Sequence, residues 1–312
     1  MKIIFFGSDG FAAKHMEALM ASKHDVVGCV TQPDRPKGRG MKMVVSPIKE
    51  LGVSVNMPVL QPTDLKDVIF LEELKALDAD IFVVIAYGRF LPQELLDMPR
   101  HTPINVHGSI LPKYRGAGPI NWAIINGEKE SGITVAKINA KMDSGDILAT
   151  ASVVIEDTDD ASTLRQKMLR VGPKSLIEVL DAIESGKETV ESQDESRVTL
   201  APKLTKELGH IDWSKSAVEI FNLMRGLVPW PNAYTFYEGK FLKILSADVV
   251  EGDSSKQYGE VVDINEEGFS VQAAQGVLLI KEVHLESSKR MCAKDFLLGH
   301  QLFVGFKFTS NK

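Results

Sequence analysis

Apolar residues in the first two-thirds of the chain fall in short runs that alternate with stretches of helical spacing. Lys2 to Phe6 is one such run, closed by Gly7, and Phe11 to Ser22 then carries its apolar residues at the period of an amphipathic helix. Asp25 to Val30, Ile81 to Ile85 (just after Asp78-Ala79-Asp80) and Pro103 to His107 read as further strands. Strands separated by helical stretches predict right-handed crossovers and a parallel, doubly wound Rossmann-like α/β sheet. Gly7-Ser8-Asp9-Gly10 lacks the third glycine of a dinucleotide-binding turn, because position 12 is Ala12. It reads as a tight strand-to-helix turn, with no nicotinamide cofactor implied.

Thr134 to Ile138 and Ala149 to Ile155 follow as strands, and Ala161 to Ser185 as a long amphipathic helix. From Gly186 to Thr205 the pattern turns polar, as expected of an interdomain linker. A helix over Ser216 to Leu227 precedes short strands at Tyr234 to Phe236, Phe241 to Val249, Gly259 to Ile264, Phe269 to Gln272 and Val277 to Val283. Short strands joined by Gly, Asp and Asn turns predict a small C-terminal β-barrel. Two domains suit a chain of 312 residues better than one core.

Composition narrows the class. Hydrophobic residues at 44% and charged residues at 25% are ordinary for a globular protein and exclude a disordered chain. The best apolar run, Ile81 to Ala86, is far short of a membrane span, and Met1-Lys2 leads directly into a strand, so a cytoplasmic protein is expected. Two cysteines, Cys29 and Cys292, are too few for a disulfide framework or a zinc site and are expected to be packed thiols. A net charge of -6 argues against indiscriminate nucleic-acid binding but leaves room for local basic patches. One such patch is the Gly- and Pro-containing loop Thr31 to Glu50, where Arg35, Lys37, Arg39, Lys42 and Lys49 face only Asp34 and Glu50. By composition alone it is a solvated basic loop that phosphates would find. The segment from Glu207 to Lys312, with 11 Lys/Arg against 14 Asp/Glu, is not basic overall.

The chemistry concentrates in Asn105-Val106-His107 and in Met142-Asp143-Ser144-Gly145-Asp146. An amide, an imidazole and a carboxylate are the parts needed to move a one-carbon acyl group onto an amine. Asn105 and His107, two apart on an extended segment, point the same way. Their strand should end at the carboxyl edge of the sheet, where open α/β folds bind ligands. The Asn105 amide can donate to a carbonyl oxygen that gains charge, and protonated His107 can donate to the same oxygen. Asp143 can orient His107 and accept, directly or through water, the proton an attacking ammonium loses. His15, His24, His101, His210, His284 and His300 read as ordinary core or surface histidines.

Asn-Val-His-x-Ser-x-Leu-Pro-x-Tyr-Arg-Gly at 105–116, followed by Asp-x-Gly-Asp-Ile at 143–147, resembles the folate-dependent formyltransferase superfamily. Within it the chain is similar over essentially its whole length to the methionyl-tRNA formyltransferases. The loop Thr31 to Gly40, Ser46-Pro47, Ala86-Tyr87-Gly88, Arg115 to Ile120, Ile211-Asp212-Trp213 and Pro229-Trp230-Pro231 carry that narrower match. The resemblance implies formyl transfer from 10-formyl-tetrahydrofolate to the α-amino group of methionyl initiator tRNA, with no metal. It implies catalytic roles for Asn105, His107 and Asp143, and a folate wall at Ser109, Ile110, Leu111 and Pro112. Ile85, Ala86, Tyr87, Gly88 and Leu91 are implied to pack the pterin. Arg35, Lys37, Arg39 and Lys42 are implied to grip the tRNA acceptor end, Arg39 foremost, with Lys203 and Lys206 on the C-terminal side. The implied organisation is a catalytic domain over 1–189, a linker over 190–206 and a tRNA-contacting, OB-like β-barrel over 207–312, working as a monomer. Two departures stand out: Ile110 where leucine is usual, and Arg89-Phe90 where the family has smaller apolar residues.

Two other readings stay open on residues alone. One is a relative that formylates a small amine (a glycinamide ribonucleotide or an amino sugar nucleotide) or hydrolyses formyl-folate; the basic loop and the extra domain argue against it. The other is a catalytically silent nucleic-acid-binding protein, against which the complete Asn105, His107 and Asp143 set argues.

Overall fold

The computed structural model describes residues 1–37, 42–252 and 255–308. In chain order the elements are β1 (Lys2–Gly7), α1 (Gly10–Met20), β2 (Asp25–Val30), β3 (Arg35–Lys37), β4 (Lys42–Val44), α2 (Pro47–Ser54), β5 (Val59–Leu60), α3 (Val68–Ala76), β6 (Ile81–Ile85), α4 (Gln93–Leu96), β7 (Ile104–His107), β8 (Arg115–Gly116), α5 (Pro119–Ile125), β9 (Glu130–Lys137), β10 (Ile147–Val154), α6 (Ala161–Glu184) and β11 (Leu200–Ala201). There follow α7 (Ala217–Gly226), β12 (Ala233–Tyr237), β13 (Lys240–Val250), β14 (Val261–Ile264), β15 (Phe269–Gln272), β16 (Val277–Leu285), β17 (Met291–Cys292) and α8 (Ala293–Gly299). Among the described residues no helix is long and apolar enough to cross a membrane.

The chain divides into two compact units. The first comprises Met1–Pro119, Glu130–Val154 and Arg165–Pro202; the second comprises Ile120–Lys129, Ile155–Leu164 and Lys203–Lys312.

The first unit is built on a seven-stranded sheet of order β10-β9-β7-β6-β1-β2-β5. Strands β5, β2, β1, β6 and β7 are parallel, and β9 and β10 continue the sheet antiparallel. The central strands β1 and β6 are continuous apolar runs, Ile-Ile-Phe-Phe and Ile-Phe-Val-Val-Ile, because both of their faces are buried. β10 instead alternates half-buried and exposed residues from Ala149 to Val154, as a strand with one face open to solvent does. The turn after β1 works as expected: the Asp9 side chain accepts from the Phe11 and Ala12 amides and caps α1. Ser46 and Asp67 cap α2 and α3 in the same way. On the inner face of α1, His15 is fully buried with Nδ1 on the Phe11 carbonyl at 2.8 Å, and burial lowers its pKa to about 4. Cys29 is a packed thiol whose pKa burial pushes up to about 12. Cys292 is the exception to the expectation of packed thiols: it sits exposed at the start of α8.

The second unit carries an antiparallel sheet of order β12-β13-β16-β15-β14, with β17 paired to β16. Trp213, Leu242, Phe269, Ile280 and Phe296 fill its core with Ile220 and Met224 of α7. A full capping box, Ser216 with Glu219, starts α7.

Candidate active site

All five parallel strands end on one edge of the sheet, so Gly7, Thr31, Ala86 and the residues after His107 gather there. Asn105 is half-buried on β7, and His107, at its last position, is 5% exposed. The turn that follows β9 brings Asp143 to both. Asn105 Nδ2 donates to Asp143 Oδ1 at 3.3 Å, and His107 Nδ1 lies 3.7 Å from Asp143 Oδ2. That same Oδ2 accepts the Gly116 amide at 2.9 Å, so the carboxylate is oriented from two sides. His107 Nε2 is 2.9 Å from the Tyr114 carbonyl. A carbonyl only accepts, so Nε2 carries hydrogen and Nδ1 is the nitrogen that faces Asp143.

The backbone around this group is held in conformations it would not choose alone. Asp143 sits at φ 49° and Tyr114 at φ 62°, both in the left-handed region, where a non-glycine residue is strained. Gly145 has no room for a side chain: an added Cβ would lie 1.7 Å from the Lys137 carbonyl oxygen. The turn is stitched to β9 by the Lys137 amide on the Asp146 carbonyl at 2.9 Å. Across the site, Gly116 (φ 128°) would place a Cβ 2.5 Å from the Ala201 carbonyl, so only glycine lets β8 lie against β11.

The loop after β7 is pinned from β9. Thr134, fully buried and paired with His107, donates from Oγ1 to the Ser109 carbonyl at 2.7 Å and accepts the Leu111 amide at 3.0 Å. Ser109 is buried with its hydroxyl on the Lys113 carbonyl at 2.6 Å, and Leu111 packs with Ala136 and Ile147. Ile110 and Pro112 remain half-buried. Ile85 and Tyr87 are also turned inward; the Tyr87 ring meets Phe6 edge-on at 5.5 Å, and burial raises its phenol pKa. Ala86 (φ 48°), between them, and Gly88 (φ 77°), after them, are exposed, and Leu91 is half-buried on the core. The expected folate wall therefore offers backbone and small residues at Ala86 and Gly88 and apolar surface at Ile110, Pro112 and Leu91. Such a surface of exposed peptide edges and apolar walls fits a flat, hydrogen-bonding heterocycle. Arg89 does not point a free charge into this edge: its guanidinium donates to the Pro62 and Thr63 carbonyls at 3.0 and 3.1 Å, while Phe90 is 72% exposed.

The basic loop forms a β3–β4 hairpin whose base is fastened. Asp34 accepts from Lys49 Nζ at 2.6 Å and from Gln61 at 2.8 Å, and Lys49 holds its carboxyl below the usual range. Thr31 Oγ1 donates to Ser46 Oγ at 2.8 Å. Lys49 is thus spent on the fold, and Arg35 stands exposed on β3. Lys37 and Lys42 are paired across the hairpin by their backbones, and Arg39 lies outside the described residues. Lys203 and Lys206 are exposed in the second unit.

Sequence reasoning passed over three residues that shape the site. Thr134 was hidden as one of many strand threonines. Thr199 accepts the Tyr114 amide at 2.9 Å, and Gln193 donates to the Asp143 and Gly145 carbonyls at 2.8 and 2.7 Å. Both lie in the polar stretch expected to be linker, and nothing in their composition marks them.

The formyl transferase family model matches residues 1–180, and the model of the formyl transferase C-terminal domain matches residues 203–301. A methionyl-tRNA formyltransferase of Caldanaerobacter subterraneus subsp. tengcongensis is 46% identical over 98% of this chain and 99% of its own length. One from Alkaliphilus oremlandii is 44% identical over 98% of each chain. Among solved structures, WlaRD, a sugar 3N-formyl transferase, shares the fold at a TM-score of 0.69 and 18% identity, covering 93% of this chain and 99% of its own.

Proposed function

The chain belongs to the formyl transferase family, and from that membership we propose how its residues move a formyl group from 10-formyl-tetrahydrofolate to the α-amino group of methionyl initiator tRNA. The donor supplies an activated formyl carbon attached to nitrogen. The observation that carries the assignment of roles is the meeting of Asn105, His107 and Asp143 at the carboxyl edge of the sheet.

Asn105 has one amide hydrogen on Asp143 and a second to give. That hydrogen and a proton on His107 Nδ1 meet the formyl oxygen as the methionyl amine attacks the carbon and charge collects on the oxygen. Each such donor is worth about 3 kcal/mol of barrier. Asp143, locked by Gly116 and Asn105, takes the proton the new ammonium must lose, and a proton passes to the leaving nitrogen as its bond to the formyl carbon breaks. Holding amine and formyl carbon in register supplies the rest. Arg35, Lys37, Arg39 and Lys42 engage the phosphates of the acceptor end, and Lys203 and Lys206 add charge from the second unit. The enzyme acts in the cytoplasm as a monomer.

The test is formyl transfer to methionyl initiator tRNA, run beside methionyl elongator tRNA and a small amine. Formylation of the initiator alone is expected. Asp143→Asn and His107→Ala should lose turnover by ~10³-fold or more while folate binding survives. Turnover near that of the native enzyme in either variant removes that residue from the mechanism. Turnover of the small amine at the same rate as the initiator tRNA moves the acceptor elsewhere.

A further inference from the structure

The carboxylate of Asp143 is held by Asn105 and Gly116, yet its backbone is strained at φ 49°. Something must hold the main chain there. The turn itself contributes the Asp146 carbonyl bonded to the Lys137 amide and the Ser144 hydroxyl, which lies 2.9 Å from Asn139 Oδ1 and 3.2 Å from the Lys141 carbonyl. The remaining hold comes from far along the sequence. Gln193 Nε2 donates one hydrogen to the Asp143 carbonyl at 2.8 Å and the other to the Gly145 carbonyl at 2.7 Å. Its Oε1 accepts from Arg115 Nε at 3.0 Å and Nη2 at 2.8 Å. Arg115 is 7% exposed, and its outer edge is paired with Glu195 at 2.8 Å.

These bonds close a ring. Arg115 fixes Gln193; Gln193 fixes the backbone of Asp143; the Asp143 carboxylate is bound by the amide of Gly116, the residue after Arg115. Side chain and main chain of Asp143 are thereby referred to one short strand, β8. Adjacent bonds keep the strap itself in place: the Arg115 amide donates to the Thr199 carbonyl at 2.9 Å, and the Gly118 amide to the Ala201 carbonyl at 3.1 Å.

We propose that Gln193 is a positioning residue for formyl transfer, acting through Asp143, and that the segment from Gln193 to Ala201 is a strap that sets the catalytic turn. The inference rests on the role assigned to Asp143 above. Glutamine is chemically specific here: it alone among uncharged side chains of this length presents two donors to two carbonyls and an acceptor to a guanidinium. Glutamate would keep the acceptor for Arg115 but turn lone pairs onto both carbonyls; methionine would keep the volume and none of the bonds.

The experiment measures kcat and KM for Gln193→Met and Gln193→Glu with methionyl initiator tRNA, normalised to folate-binding sites. That normalisation removes any loss from misfolded protein, which a merely structural role would produce. Both variants should lose ~10- to 100-fold in kcat per folate-competent site, in keeping with an ångström-scale misplacement, with KM for the tRNA within about twofold. Native kcat in Gln193→Met overturns the proposal. So does native kcat in Gln193→Glu, which would show that the donors to the turn are dispensable. Asp143→Asn is run alongside. Its loss of turnover with native rates at Gln193 sinks the strap alone; its retention of turnover sinks the assignment of Asp143 and the strap with it.

Discussion

Replacing Gly145 by alanine tests the site through one methyl group. The Cβ would lie 1.7 Å from the Lys137 carbonyl oxygen and 2.6 Å from its carbon, and contacts under 3.0 Å are essentially never seen. Both atoms are backbone of β9, bonded through Lys137 N to the Asp146 carbonyl, so the strand cannot yield cheaply. The turn must retreat, from 1.7 to at least 3.0 Å, or about 1.3 Å. Overpacking of this kind costs about 1–3 kcal/mol of stability, which a domain of this size survives. The larger effect is on catalysis. Asp143, two residues away, leaves its 2.9 Å bond to the Gly116 amide and its contact with Asn105. A displacement of about 1 Å at a reacting group costs on the order of 10²-fold in rate. The assay is kcat for formylation of methionyl initiator tRNA, with folate binding and thermal midpoint measured on the same protein. Gly299→Ala, where an added Cβ meets nothing, serves as the control. A Gly145→Ala enzyme that binds folate and turns over within about threefold of native would refute the idea that this turn fixes the catalytic carboxylate.

Other consequences are measurable. His15 is fully buried with its pKa lowered by burial from 6.5 to about 4, so between those values the unfolded chain binds the extra proton. Its contribution is therefore complete above pH 6.5 and is lost as the pH falls toward 4, up to roughly 3 kcal/mol. His15→Phe should flatten that part of the urea-midpoint profile, and an unchanged acid slope would refute it. Arg35→Ala should raise KM for the tRNA and lower the slope of log affinity against log salt by ~0.9, the signature of one lost phosphate contact; an unaltered slope removes Arg35 from the interface. Asp34→Asn breaks the 2.6 Å pair with Lys49 at the base of the basic hairpin. It should weaken tRNA binding severalfold with folate binding intact and little change in the thermal midpoint, since a solvent-screened ion pair contributes little to stability. Equal losses in both substrates would mean the hairpin base supports the whole unit.

How far the sequence speaks depends on what kind of force acts at each place. β1, β2 and β6 are legible to within a residue because central parallel strands need continuous apolar runs, and the glycines of Gly7-Ser8-Asp9-Gly10 mark the turn into the helix that follows. α6 and α7 are legible because each buries one stripe. α3 is not: Val68 and Ile69 open it at 66% and 68% exposure, so its first turn presents apolar residues to solvent and spoils the periodicity. β9 begins at Glu130, ahead of the expected Thr134, because pairing along the whole of β10 carries Ser131 and Gly132 into the sheet regardless of their propensity. The same contrast holds at the site. Spacing alone places Asn105 and His107 on one side of a strand, a local fact; Asp143 is one turn aspartate among several, 38 residues from Asn105, and the resemblance to formyltransferases is what joins it to them. The polar stretch around Gln193 is read as a solvated linker because composition reports only that a segment lacks a core. Hydrogen bonds from its amide to two carbonyls 50 and 48 residues earlier leave no trace in composition. Polar segments that grip backbone are thus invisible to patterning for a physical reason: peptide groups are the same at every position, so a side chain that binds them selects no partner type that a sequence could display.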